Sequence, residues 1–148
     1  MLKDKLTKAL TALKLEKVAA GDYAKTGYQL EAQALPAQMP EVAQALLEAD
    51  CFLESFTAVD LKDSFDLVYH FACFDELCRT AVHVPLGKKK GMPTISHIYP
   101  GADWYEREVF DLFGIHFFNH PNLKRLLLPE DADFHPLLKD FGASQGHD

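Results

Sequence analysis

Apolar residues recur at helical spacing at the start of the chain. Leu2, Leu6, Leu10 and Leu13, with lysines between them, predict an amphipathic helix over 2–14. A basic helix of this kind can lie on a membrane surface, but packing on its own domain is the commoner use of so short a stripe. Gly21 and Gly27 bracket a turn region, and 27–34 reads as a strand. Pro36 and Pro40 punctuate the chain before 41–50, where Val42, Ala45 and Leu46 share a helical face.

The period then changes to two. Leu53, Ser55, Thr57 and Val59 alternate with Phe52, Glu54, Phe56 and Ala58 in a strand over 51–61. Phe65, Leu67, Tyr69, Phe71 and Cys73 mark a second over 65–74, and Cys78, Thr80, Val82 and Val84 a third over 77–84. Pro85 is expected to close the third, because it has no N–H to give to a ladder. The links at 62–64 and 75–76 are short, so the three strands form an antiparallel meander. Residues 93–99 are expected to add an edge strand.

Asp103-Trp104-Tyr105-Glu106 has the form of a capping box, with Asp103 at N-cap and Glu106 at N3, and Gly114 supplies the left-handed stop. Arg107 and Asp111, four apart, can pair on the helix surface, worth about 0.3 kcal/mol if exposed. Trp104, Val109, Phe110, Leu112 and Phe113 make this helix apolar around much of its girth, which predicts burial on more than one side. Beyond Gly114, Pro121, Pro129 and Pro136 leave no proline-free run longer than seven residues up to Pro136, so a helix of ordinary length cannot form. The expected fold class is α+β, a two-layer sandwich with a mostly antiparallel sheet flanked by helices over 1–114. An irregular apolar arm over 115–141 either wraps its own sheet, the simpler reading, or lies in another subunit's groove, with its length favouring some docking, and 142–148 reads as a disordered tail.

Composition narrows the function classes. The 148 residues suit one domain. No uncharged apolar run reaches the length of a transmembrane helix, and the charged N-terminus lacks a secretion core. Three cysteines do not make a disulfide framework, which suits a reducing cytoplasm. The formal charge of −7 argues against a nucleic-acid binder. It is uneven: residues 1–17 carry a net +3, residues 18–85 a net −8 and residues 86–148 a net −2. The acidic middle reads as a solvated face. Lys88-Lys89-Lys90-Gly91 is a basic loop tip; a phosphate site is conceivable there, with a solvated turn the simpler reading.

Candidate chemistry is thin. Cys73 and Cys78 sit at the edge of zinc-ligand spacing with no second Cys pair, and His116 and His120 have H-x3-H spacing on a segment that Gly114 and Pro121 keep from being helical. The cysteines read better as small core hydrophobes. There is no Walker A loop, GxGxxG or GxSxG. Glu106, Glu108 and Asp111 can be imagined as an acid–base set, but on a helix residues 106 and 108 diverge by about 200°.

The stretch 101–141, GADWYEREVFDLFGIHFFNHPNLKRLLLPEDADFHPLLKDF, carries more information than these rules extract. It resembles the signature of the thirty-kilodalton subunit of respiratory complex I, the NADH:quinone oxidoreductase. The resemblance rests on Trp104, Glu106, Arg107, Glu108, Asp111, Phe113, Gly114 and Ile115, then His120, Pro121, Leu123, Arg125, Leu127 and Pro129, then His135, Pro136, Leu137, Lys139 and Asp140. Thr57-Ala58-Val59-Asp60 and Val68-Tyr69-His70 look like further family positions.

The resemblance implies a two-layer α+β domain that holds no flavin, metal or iron–sulfur cluster and is not itself catalytic. It implies a place in the peripheral arm, against a hydrogenase-like large subunit and near a small iron–sulfur subunit. The chain would then lie on the cytoplasmic side of the cell membrane, touching it only through the complex. The residues from Trp104 to Asp140 become docking residues. Related subunits serve energy-converting membrane-bound nickel–iron hydrogenases. Leu138 where complex I members usually have Arg, Asn119 where they have Gly, and a chain that stops soon after the motif tilt the expectation toward a hydrogenase-type or minimal assembly. A stand-alone metal-binding domain or enzyme is the competing class.

Overall fold

The leucine stripe folds as helix α1 (Leu2–Thr11), with Leu6 and Leu10 fully buried. The computed structural model describes residues 2–74, 76–121 and 123. Helix α1 stops before the expected residue 14: the last turn tightens, with Lys14 N–H on Thr11 O, and Lys14 turns left-handed at φ +56°. Strand β1 (Lys17–Ala20) follows, an element the sequence pattern does not announce. Between Gly21 and Gly27 lies a single helical turn, α2 (Tyr23–Thr26), capped by the Asp22 side chain. The strand expected over 27–34 is the shorter β2 (Leu30–Gln33).

After a 3-10 turn at Pro36–Gln38, helix α3 (Met39–Glu48) begins two residues earlier than expected. Pro40 is in its first turn, where an amide N–H has no helical partner to lose. Met39, Val42, Ala43 and Leu46 are buried, while Ala45 is only half-buried.

Strands β3 (Cys51–Asp60), β4 (Ser64–Cys73) and β5 (Thr80–Gly87) form the expected antiparallel meander. Three details differ. First, β5 starts at Thr80, so its link from β4 is longer than two residues. Second, β5 runs through Pro85, which pairs with Asp66. On its other side β2 pairs only as far as His83, so no ladder bond is asked of the proline nitrogen. Third, β3 does not keep one alternation. Ser55 pairs with His70 and Leu53 with Phe71, leaving Glu54 as an extra, bulged residue. Phe56 and Ala58 face the core on one side of the bulge, Leu53 and Cys51 on the other.

The sheet order is β1-β2-β5-β4-β3, antiparallel except for the parallel pair β2–β5. The expected edge strand over 93–99 shrinks to β6 (Met92–Pro93), which pairs in parallel with β7 (Phe117–Phe118). Helix α4 (Ala102–Phe113) runs between these two short strands. Helices α1, α3 and α4 share one apolar core with the sheet. At its centre Tyr69 stacks on Phe56 with ring centroids 4.0 Å apart, and Phe117 meets Phe56 edge-on at 5.8 Å. Phe113 meets Phe65 edge-on at 6.2 Å. Each such buried ring contributes about 1.5–3 kcal/mol through removal from water. The chain just past Gly114 therefore folds back onto the domain, with Ile115 and Phe117 in the core.

Candidate functional site

Helix α4 carries six of the signature residues, Trp104, Glu106, Arg107, Glu108, Asp111 and Phe113, and its ends show how the sequence places them. Gly114 takes φ +79° and its N–H bonds to Phe110 O at 2.8 Å, the left-handed stop read from the sequence. The start differs from expectation. The helix begins after Gly101, and no side chain caps it.

Glu106 is therefore not an N3 cap. It is fully buried, one turn into the helix, and points across to the loop that follows β6. Its Oε2 accepts the Ile95 N–H at 2.9 Å, and its Oε1 accepts the Thr94 hydroxyl at 2.5 Å. Thr94 Oγ1 in turn accepts the Ser96 N–H at 3.1 Å. The carboxylate thus fastens the loop leading into α4 to the helix itself. Burial pushes its pKa up to about 7; the two hydrogen bonds act against this and the charge of Asp103 adds to it.

His120 joins the cluster from the other end of the helix. Asn119 takes φ +64°, a left-handed turn that directs the chain back toward α4. Asn tolerates this conformation better than most residues. The His120 side chain is fully buried. Its Nε2 lies 2.9 Å from Asp103 Oδ1 and 3.8 Å from Glu106 Oε1. The imidazole's hydrogen bond to Asp103 goes to the backbone carbonyl, at 3.4 Å, and Asp103 Oδ1 is left without one among the described residues.

Of the other signature residues, Asp111 is buried, Glu108 half-buried and Pro121 exposed. Arg107 does not pair with Asp111. Its guanidinium lies 5.9 Å from the Trp104 ring centroid, and Trp104 is 57% exposed, so α4 has one outward face. Arg125, Pro129, His135, Pro136, Lys139 and Asp140 lie outside the described residues. Two tyrosines that no sequence signal marks tie this region to β3. Tyr105 Oη donates to Glu54 O at 3.0 Å, at the bulge, and Tyr99 Oη donates to Cys51 O at 2.9 Å. Thr94 is equally silent in the sequence; only its tertiary position beside Glu106 reveals it.

The metal readings find no geometric support. His116 is exposed and His120 buried, so the pair does not converge. Cys73 faces Cys51 across the strands. Among the described residues no group of three or more His, Cys, Asp or Glu is placed to hold a metal ion. Lys88, at the basic loop tip, is engaged with Asp60 and lies over the Phe65 ring, 4.2 Å from its centroid. Among the described residues no helix is long and apolar enough to cross a membrane.

A mixed sheet backed by helices, with the Glu106 carboxylate and the His120 imidazole buried and Trp104 exposed, defines an α+β domain. Residues 32–146 match the family described as the 30 kDa subunit of respiratory-chain NADH dehydrogenase, and the chain belongs to that family. Among curated relatives, an NADH-quinone oxidoreductase subunit from Rhizobium rhizogenes is 43% identical over 79 residues, covering 53% of this chain and 40% of the relative. The corresponding subunit from Roseiflexus castenholzii is 41% identical over 93 residues, covering 60% and 53%. A longer NADH-quinone oxidoreductase subunit from Buchnera aphidicola is 45% identical over 80 residues, 13% of its length. The chain thus spans about half the length, or less, of these relatives. Among solved structures, a chain of the membrane-bound sulfane sulfur reductase, an archaeal respiratory membrane complex, shares the fold. The TM-score is 0.76 at 23% identity, covering 99% of this chain and 88% of that one.

Proposed function

We propose that this chain is a non-catalytic structural subunit in the peripheral arm of a complex I-like NADH:quinone oxidoreductase. The observation that carries the reading is the family match over 32–146 together with the fate of its polar signature. Glu106 and His120 are buried and fasten the domain internally, while Trp104 is exposed with the half-buried Arg107 beside its ring. The partners are a hydrogenase-like large subunit and a small iron–sulfur subunit, and the membrane is reached only through them, from the cytoplasmic side. In this reading the folded body runs on past residue 114 through β7 to His120, and the remainder of the expected 115–141 arm lies along the partner, ahead of the tail at 142–148. Arg125, Pro129, His135, Pro136, Lys139 and Asp140 are docking residues on that arm.

A second reading is the equivalent subunit of an energy-converting membrane-bound hydrogenase or a related respiratory complex. The fold it shares with a chain of an archaeal respiratory membrane complex, at a TM-score of 0.76, is compatible with this reading. Purification of the tagged full-length chain from native membranes in mild detergent tests both. A co-migrating hydrogenase-like large subunit is expected, with NADH oxidation in the first reading and hydrogen or sulfur-compound turnover in the second. Recovery of the chain as a free monomer overturns both.

A further inference from the structure

The end of the sheet formed by β3 and β4 carries two free thiols that the docking reading does not use. Cys51 and Cys73 stand directly opposite each other in the antiparallel ladder, on the core side, with their sulfurs 2.7 Å apart. Opposed residues of antiparallel strands have Cα atoms about 4.5–5.5 Å apart. A disulfide spans about 4.4–6.8 Å, so it can close here without moving a strand. The pairing depends on the bulge. Had the register at Ser55 and His70 run on unbroken, Cys51 would have met Phe74.

Access to the two sulfurs is unequal. Cys51 is 3% exposed, and burial with the neighbouring sulfur pushes its thiol far above the usual range. Cys73 is half-buried and lines a depression of about 190 Å³ with Leu2, Lys5, Ala49, Asp50 and Glu76. The third thiol, Cys78, is buried in the link before β5 and pairs with neither strand.

We propose that Cys51 and Cys73 are a redox-active dithiol that reacts with small disulfides of the glutathione class and closes to a cross-strand disulfide. The Cys73 thiolate attacks one sulfur of the small disulfide. A Cys73–glutathione bond forms, the original S–S bond breaks, and one glutathione thiolate leaves with a proton from solvent. Cys51, losing its proton, then attacks Cys73 Sγ and expels the second glutathione thiol. Two protein thiols give up two electrons and two protons, and one small disulfide becomes two thiols. The product ties the strand end whose Cys51 carbonyl holds Tyr99, at the approach to α4.

The test uses the full-length chain, incubated with oxidised glutathione without denaturant and then alkylated after unfolding. Alkylatable thiols are expected to fall from three to one and to return to three with dithiothreitol. Trypsin with a Glu-specific protease separates the three cysteines, since Lys62 and Glu76 lie between them, and the linked peptide is expected to join Cys51 to Cys73. Cys78→Ser is expected to give the same link, and Cys51→Ser to stop with one glutathione on Cys73. A link through Cys78, three remaining thiols, or a disulfide that forms only in denaturant overturns the proposal. The wild-type and Cys78→Ser maps decide it even if Cys51→Ser does not fold.

Discussion

His120 Nε2 lies 2.9 Å from Asp103 Oδ1, joining a residue just past β7 to the first turn of α4. On the same segment β7 lies against β6, where Met92 N–H bonds to His116 O at 2.9 Å and Thr94 N–H to Phe118 O at 3.0 Å. Replacing His120 by Ala removes a buried polar side chain and leaves a void, which is expected to lower stability by about 1–3 kcal/mol. Hydrogen exchange is the local check: the amides of Met92 and Thr94 should lose protection before those of β4. Equal protection in the variant would show that β7 does not depend on His120.

Glu106 carries a pH dependence with a definite sign. Its folded pKa, about 7, stands above the ordinary carboxylate value of 4.5. Between these values the folded state holds a proton that the unfolded state has released, so stability falls as pH rises through this window and levels off above it. At about 1.4 kcal/mol per pH unit the full effect is on the order of 3 kcal/mol. His120, 3.8 Å away, opposes it whenever charged, and Asp103 reinforces it. Glu106→Gln is expected to flatten this part of the stability–pH curve in denaturant titrations. Glu106→Ala is expected to destabilise at every pH, by about 1–3 kcal/mol, because the Ile95 N–H loses its acceptor.

Two left-handed positions frame the segment after α4. Gly114 at φ +79° and Asn119 at φ +64° both need a conformation that costs a Cβ-bearing residue about 1–2 kcal/mol. Gly114→Ala should lower the melting temperature accordingly. Asn119→Gly should be close to neutral, since backbone relief offsets the greater unfolded-state entropy. Asn119→Val should be the most damaging change there. A neutral Asn119→Val would mean that the turn is not held in the folded state.

Tyr69 is buried at the core centre, and its hydroxyl has no hydrogen-bond partner among the described residues. Burial, with a contribution from Glu106, pushes its pKa well above the usual phenol value. Tyr69→Phe keeps the stack on Phe56 and is expected to leave stability unchanged or raise it by up to about 1 kcal/mol. A clear drop in unfolding free energy would reveal a partner for the hydroxyl.

The elements legible in the sequence were those decided by local physics. The leucine stripe of α1, the apolar face of α3, the period-two runs of β4 and β5 and the glycine stop of α4 each depend on residues a few positions apart. What escaped was decided across the fold. Strand β1 is a short edge strand without alternation, held by its pairing with β2. Pro85 reads as a terminator until β2 is seen to pair no further than His83. Glu106 has the right spacing for a local cap, but the Ile95 amide and the Thr94 hydroxyl bind it instead. Cys73 has Cys78 as its sequence neighbour, whereas the bulge delivers Cys51.

That bulge acts as a frame-shift within β3. On either side of Glu54 the strand is read in opposite phases, and one residue reconciles them. Deleting Glu54 would therefore leave every cross-strand pair of β3 and β4 intact, whereas an insertion or deletion elsewhere in β3 would turn part of the strand inside out. Among relatives, a one-residue gap at this position should be silent for the sheet. It should be felt only where Glu54 has second employment, in the Arg79 ion pair at 2.8 Å and the carbonyl that receives Tyr105.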